Sequence, residues 1–394
     1  MALMLCYFNM ESLAQVSVSV SWGANQGKTS TGKSFGINCN RFFDPNVTNN
    51  STYLSNLQFM NPKFVRFHDW AVNGWEIPGE KGWMDANEEW NAAKVIQALT
   101  PFKNNFPNME IIMNIAQWPT KFMIDPSFNA NGYFGRFNNA RLRTDKYDAF
   151  AAWCASLLTI CKNNGFNVKY WELPNEQEDL YPPTNTSSNN AICEIYRKAT
   201  KKLKETDPTI KTGGLSFTND NGVVEFLSQV ANQSFLLNGQ TAYYVDFFAQ
   251  HIYPEQEGSG LGQVFNGQLV TDQKIYDNTN TYFETAQVMS NRASTYGTSH
   301  NIEKYLDEFA VSYNDQDIVH SAYTTAVYHA LAYFKGLLGG LDGMHDWNDI
   351  NGGFGLQDDS YNLRPRAYTL HMLTNHMIGT LVNTSSSNIG VVSY

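Results

Sequence analysis

The chain has 394 residues, of which 42% are hydrophobic, 14% aromatic and only 16% charged. That length holds one large α/β barrel or two ordinary domains with ample core, and no run approaches the roughly 18 apolar residues of a membrane-spanning helix. The 27 basic and 37 acidic residues give a net charge of −10 with no Lys/Arg run, which argues against nucleic acid and anionic membrane as partners.

In chain order, Ala2–Phe8 is apolar and Ser12-Leu13-Ala14 resembles a signal-peptidase site. Residues 1–14 therefore read as a signal peptide, and a secreted or periplasmic protein is expected. Val16–Trp22 alternates polar and apolar residues as a half-exposed strand does, and residues 15–33 read as the first part of a small accessory β-domain. Gly27-Lys28-Thr29-Ser30-Thr31-Gly32-Lys33-Ser34 satisfies the phosphate-loop pattern letter for letter. Such a loop must open a helix whose N-terminus faces the phosphates. Here Phe35-Gly36-Ile37-Asn38, a strand, follows, so a polar loop between strands is expected.

Eight short β-rich runs come next: Ser34–Asn40, Lys63–Phe67, Glu110–Ala116, Val168–Leu173, Lys211–Ser216, Val245–His251, Lys304–Glu308 and Gly343–Trp347. Helical periods fall between and after them, at Glu88–Lys103, Thr144–Lys162, Ala191–Lys204, Gly222–Ala231, Thr281–Thr295, Ile318–Leu338 and Pro365–Leu381. The clearest is Thr144–Lys162, where Tyr147, Phe150, Cys154, Leu157, Leu158 and Cys161 trace one face. Eight strands alternating with helices predict an α/β fold, a closed (β/α)8 TIM barrel over residues 34–382. Asp69–Asp85 and Pro174–Asn190 are expected as long loops. Residues 383–394 read as the start of a C-terminal β-segment with a strand at Asn388–Tyr394, leaving the accessory β-domain small or incomplete. The five cysteines, Cys6, Cys39, Cys154, Cys161 and Cys193, form no CxxC pair and are too few and odd in number for a disulfide framework.

In such a barrel the active site lies at the C-terminal ends of the strands, where this sequence concentrates its polar and aromatic residues. The second strand ends Arg66-Phe67-His68, the third Gln117-Trp118, and the fourth runs into Asn175-Glu176. The sixth ends His251-Ile252-Tyr253, the seventh Asp307-Glu308-Phe309, and the eighth His345-Asp346-Trp347. Glu176 and Glu308 thus face one another across the mouth, the pair that glycosidic cleavage needs: an acid for the leaving oxygen and a carboxylate for the anomeric carbon. Asp307 is the rival nucleophile, but strand alternation turns it away from the side Glu308 faces. Arg66 reads either as purely structural or as orienting a carboxylate by paired hydrogen bonds, and Trp118 and Trp347 either as core or as platforms for the C–H faces of sugar rings, the latter being preferred. His68, His251 and His345 read as rim residues; as a set they are also a metal geometry, although no paired His spacing supports one. No Gly-x-Ser-x-Gly elbow is present, so a serine hydrolase has no support.

These residues resemble those of the clan-A glycoside hydrolases, and within them family 39, which includes β-xylosidases and α-L-iduronidases. Val65-Arg66-Phe67-His68 is similar to that family's second-strand signature, and Trp171 through Asn175-Glu176 to its acid/base motif. Ile195-Tyr196-Arg197 with Asp207 through Gly214 is similar to its approach to the fifth strand, and Asp246-Phe247 with His251 through Pro254 to its sixth. Asp307-Glu308-Phe309 with Ser312-Tyr313, and Gly352 through Leu356, resemble its nucleophile strand and the loop after the eighth. The resemblance spans roughly residues 35–382. It implies a retaining enzyme with Glu176 as acid/base, Glu308 as nucleophile, Asn175 on the sugar 2-hydroxyl and Tyr253 on the nucleophile carboxylate. His68, Trp118, His251, His345 and Trp347 would complete the binding site, with Arg66 in support. It implies no cofactor and no metal. The sequence departs from the family in Glu176-Gln177, where Glu-Pro is usual, and in Asp307-Glu308-Phe309, where Thr-Glu-Trp is usual. A carbohydrate-binding barrel without catalysis, or a transglycosylase using the same carboxylates, are the alternatives. Arg136, Arg141 and Arg143 are rim cations that could read an acidic group.

Overall fold

The computed structural model describes residues 18–68, 82–125, 140–182, 185–218, 222–254, 264–265, 268–269, 272–312 and 318–386. The signal-like segment 1–14, Arg136, Tyr313, the strand expected at 388–394 and most of the loop expected at 69–85 lie outside these residues. The chain divides into a large compact unit, Ser30–Ile378, and a small one made of Met1–Thr29 and Gly379–Tyr394.

After strand β1 (Val18–Ser30), the large unit builds β2 (Phe35–Cys39), β3 (Phe64–Phe67), β4 (Glu110–Asn114), β5 (Val168–Asn175) and β6 (Lys211–Phe217). A surface hairpin, β7 (Ser234–Leu237) and β8 (Gln240–Tyr243), precedes β9 (Phe247–Ile252); the pair β10 (Val264–Phe265) and β11 (Gln268–Leu269) precedes β12 (Glu303–Phe309) and β13 (Gly343–Asp346). Strands β2, β3, β4, β5, β6, β9, β12 and β13 close in that order, every neighbour parallel, into one barrel. This is the predicted (β/α)8 TIM barrel. In the small unit β1 pairs with β14 (Gly379–Ser386).

The helices are α1 (Pro45–Thr48), α2 (Ser51–Met60), α3 (Ala92–Asn105), α4 (Tyr147–Asn163), α5 (Thr186–Thr206), α6 (Val223–Val230), α7 (Asp272–Asp277), α8 (Asn280–Tyr296), α9 (Tyr323–Gly339) and α10 (Pro365–His376). Asparagines start three of them: the side chains of Asn50, Asn91 and Asn185 accept backbone N–H groups of the first turns of α2, α3 and α5. The Asn185 cap starts α5 earlier than the apolar period suggests and shortens the loop after β5. The last helix ends sooner than expected, at His376 rather than Leu381. Gly379 takes φ +144°, a conformation glycine adopts freely, and Thr380-Leu381-Val382 continue as β14. No phosphate loop forms: Ser34 N–H closes a turn onto the Thr31 carbonyl at 3.0 Å, β2 follows, and Lys33 Nζ pairs with Glu110 at 2.8 Å. Cys39, Cys154, Cys161 and Cys193 are buried and outside any disulfide, and burial pushes their thiols up in pKa.

Inside the barrel, Phe64, Ile112, Tyr170, Phe247, Ala249 and Tyr305 form an apolar layer at the N-terminal side of the strands. One step toward the C-terminal ends the interior turns polar. Asn38, Arg66, Asn114, Glu172, Ser216, His251 and Asp307, one from each of seven strands, are all buried. Buried charge of this kind persists only where it is paired and hydrogen-bonded. No described helix is long and apolar enough to cross a membrane.

Candidate active site

Three strands carry an extra residue near their C-terminal ends. Register shifts fall between Leu306 and Glu308 of β12, between Glu172 and Asn175 of β5, and between Gly214 and Phe217 of β6. A bulge breaks the in–out alternation and re-aims side chains. On β12 it turns Asp307 and Glu308 to the same side, so the expectation that Asp307 points away is corrected. On β5 it brings Asn175 round to the side of Glu172. Just past the bulge Glu176 sits at φ +49°, an uncommon conformation for a side-chain-bearing residue, with its N–H on the Ser216 carbonyl at 3.2 Å.

Arg66 is the hub. Its Nε and Nη2 donate to Glu172 Oε1 at 2.8 and 2.6 Å. Nη2 also donates to Asn175 Oδ1 at 2.6 Å, and Nη1 to Asn38 Oδ1 at 3.0 Å and Glu308 Oε1 at 2.7 Å. Nε lies 3.2 Å from Asp307 Oδ2. Burial would lower the Arg66 pKa, but Glu172, Asp307 and Glu308 outweigh it and hold the guanidinium charged. With its oxygen taken by Arg66, Asn175 keeps its amide N–H groups as donors.

Around Glu308 the donors converge. Tyr253 Oη donates to Oε2 at 2.9 Å, and His68 Nε2 lies 3.2 Å from Oε1. Burial alone would raise the Glu308 pKa, yet the charge of His251, the contact with His68 and Arg66 bring it well below the usual carboxylate range. Glu176 is the more open of the two, its side chain 31% exposed, with Oε1 at 2.6 Å from His251 Nδ1. Burial would lower the His251 pKa, but the charges of Glu308 and Asp307 beside it, and the hydrogen bond with Glu176, raise it well above the ordinary histidine value.

Below them Glu172 and Asp307 flank the same guanidinium, at 2.6 and 3.2 Å from Arg66 nitrogens. Burial drives the Glu172 pKa up to about 7, with Asp307 reinforcing the rise against Arg66. Asp307 is lowered instead: burial opposes its ionisation, and Arg66 and His251 overcome that.

Arg66, His68, Asn175, Glu176, His251, Tyr253 and Glu308 therefore form one constellation. Trp347 is half-buried at its rim, edge-on to His68 with ring centres 4.9 Å apart. Two expected substrate contacts are corrected. Trp118 is only 1% exposed; its indole N–H donates to the Ala140 carbonyl at 2.8 Å and its ring packs on Phe150 and Tyr181. His345 is fully buried among Phe64 and Tyr305 of the apolar layer, and burial pushes its pKa down to about 3. It belongs to the core, one layer below the site.

Among the described residues, the group with metal-ligand spacing is Glu176, His251 and Glu308, whose ligand atoms lie within 4.8 Å of one another. A divalent cation there would meet the Arg66 guanidinium, whose Nη1 already holds Glu308 Oε1 at 2.7 Å, so the electrostatics oppose it. The sequence reading passed over Asn38, Asn114, Glu172 and Ser216. A signal was present: strands of a parallel barrel, covered on both faces, should be continuously apolar, and these polar residues interrupt them.

No family model matches the chain, and no curated protein does. The fold is similar to several solved structures. The GH39 enzyme from Xanthomonas axonopodis pv. citri superposes with a TM-score of 0.62 at 17% identity, over 93% of this chain and 71% of that one. A monomeric β-xylosidase from Caulobacter crescentus gives 0.57 at 16% identity, over 93% and 73%. The glycoside hydrolase family 30 subfamily 8 xylanase from Clostridium acetobutylicum gives 0.58 at 12% identity, over 93% and 77%.

Proposed function

We propose that this chain is a retaining glycoside hydrolase acting on a neutral oligo- or polysaccharide, with Glu176 as acid/base and Glu308 as nucleophile. The observation that carries the reading is the approach of the two carboxylates, with oxygens within 4.8 Å of each other. Inverting enzymes hold their pair about 6.5–9.5 Å apart to admit water between them, retaining ones about 5–5.5 Å.

The environments fit the division of labour. Arg66, His68 and Tyr253 keep Glu308 ionised, as a nucleophile requires, while Glu176 stands more open beside that negative charge. In the first step Glu308 attacks the anomeric carbon as the bond to the leaving oxygen breaks and Glu176 gives that oxygen its proton. In the second, water attacks the same carbon, its proton passes to Glu176, and Glu308 departs as a carboxylate. Asn175 donates to the sugar 2-hydroxyl, and Trp347 offers its ring at the rim. The apolar N-terminal segment favours a secreted protein, where polysaccharides are met.

β-Xylosides, xylans and β-glucosides head the substrate panel, because a β-xylosidase and a xylanase are among the structures of similar fold. Release of reducing sugar by the wild type and not by Glu308→Ala is the expected result. Equal release by both would remove Glu308 from the mechanism. Binding of oligosaccharide without cleavage would replace the enzyme with a carbohydrate-binding barrel.

A further inference from the structure

Asp307 takes no part in the two displacements, yet a buried carboxylate is costly unless it is paired. The bulge in β12 turns it inward beside Glu308. There Oδ2 accepts the Ser216 hydroxyl at 2.8 Å and lies 3.2 Å from Arg66 Nε and 3.7 Å from His251 Nε2, the latter an ion-pair distance. The opposite nitrogen of the same ring, Nδ1, meets Glu176 Oε1 at 2.6 Å. Asp307, His251 and Glu176 thus form a line of carboxylate, imidazole and carboxyl that ends at the acid/base. The other charged and titratable groups of the cluster are Glu308 from β12, 3.5 Å from His251 Nε2, Arg66 and His68 at β3, Glu172 from β5, Tyr253 after β9 and His345 from β13.

Building on the glycosidase reading, we propose that Asp307 is a positioning residue: its carboxylate keeps a proton on His251 Nε2 while Nδ1–H donates to Glu176 Oε1, leaving the second carboxyl oxygen of Glu176 to exchange protons with leaving group and water. The chemistry of the ring requires such a partner. An imidazole protonated on Nε2 alone carries a lone pair on Nδ1 and would draw the Glu176 proton into the barrel. Protonated on both nitrogens, it can only donate.

In the free protein Glu308 shares this task. In the glycosyl-enzyme it does not, because its oxygen is bonded to the anomeric carbon and the ester is neutral. Asp307 is then the carboxylate that still faces Nε2. Its effect is therefore greatest in the second step, where Glu176 must be ionised to take the proton from water. A cationic His251 favours that ionised form.

The test is Asp307→Asn, assayed with whichever of 4-nitrophenyl β-xyloside and β-glucoside the wild type cleaves better. Slowed deglycosylation is expected to lower kcat by about tenfold or more and to lower KM with it, as glycosyl-enzyme accumulates behind a burst of 4-nitrophenol. An unchanged kcat, or a fall in kcat with KM unchanged or raised and no burst, overturns the proposal. A second measurement does not depend on Asp307→Asn folding: wild-type protein labelled with 15N-histidine, with the His251 signals identified by their loss in His251→Gln. Both ring nitrogens protonated at pH 7 is the expected result; a neutral ring overturns the proposal. If the wild type turns over no glycoside, the glycosidase reading fails, and the nitrogen spectrum still decides the state of His251.

Discussion

Asp307 and Glu308 are consecutive in the chain, yet both present a carboxylate oxygen to the guanidinium of Arg66, at 3.2 and 2.7 Å. A regular strand would send them to opposite faces. The extra residue in β12 removes that constraint and gives one arginine three acidic partners, Glu172 included. Glu308 is thereby fixed by a cation that is itself fixed from two other directions.

Tyr253→Phe removes one donor from Glu308 Oε2 and leaves the ring in place. Because the lost hydrogen bond supports the ionised carboxylate, kcat should fall by roughly 10- to 1000-fold, with little change in thermal stability. Steady-state kinetics beside a melting curve separate the two effects.

Arg66→Met leaves buried Glu172, Asp307 and Glu308 without their shared cation. Removing one partner of a buried ion pair costs about 3–5 kcal/mol, so the urea midpoint should drop sharply. A midpoint within error of the wild type would mean that His251 alone can compensate the carboxylates.

Glu172 makes stability depend on pH with a defined sign. Its pKa in the folded protein, about 7, lies above the roughly 4.3 of an unfolded glutamate. Its contribution is therefore fully present below about pH 4.3 and is lost as the pH rises through 7. Asp349, raised to about 6 by burial, acts in the same direction. Urea midpoints should fall between pH 5 and 8, and Glu172→Gln should flatten part of that fall; an identical slope in the variant would assign it to other groups.

The two tryptophans proposed from sequence should behave in opposite ways. Trp118→Ala opens a cavity in packed interior and should destabilise the fold by about 3–5 kcal/mol with KM unchanged in the surviving folded protein. Trp347→Ala should leave stability nearly unaltered and raise KM. The paired measurement of melting temperature and KM tests both at once.

Much of the molecule was legible in the sequence because barrel strands and amphipathic helices write themselves as periods of two kinds. The eight barrel strands fall within a few residues of where β-rich runs predict them, and Glu176 and Glu308 stand at the ends of β5 and β12. What misled was local. Alternation excluded Asp307 because a one-residue bulge leaves no mark in composition. Trp118 follows a strand end and His345 stands near one, just as site residues do, and only burial separates an aromatic that packs from one that meets a ligand. Helix boundaries moved where a single side chain decided them, as at the Asn185 cap.

The polar layer has an evolutionary meaning as well as a chemical one. Its seven residues come from seven strands spread between Asn38 and Asp307, so no single segment of the gene carries the site. Residues that share hydrogen bonds and charge couple when substituted, commonly by 0.5–3 kcal/mol. Change within the layer should therefore proceed by compensated steps. Glu172→Gln and Asp307→Asn, each disruptive alone, should together lose less stability than the sum of their separate losses, since both carboxylates act on the same arginine.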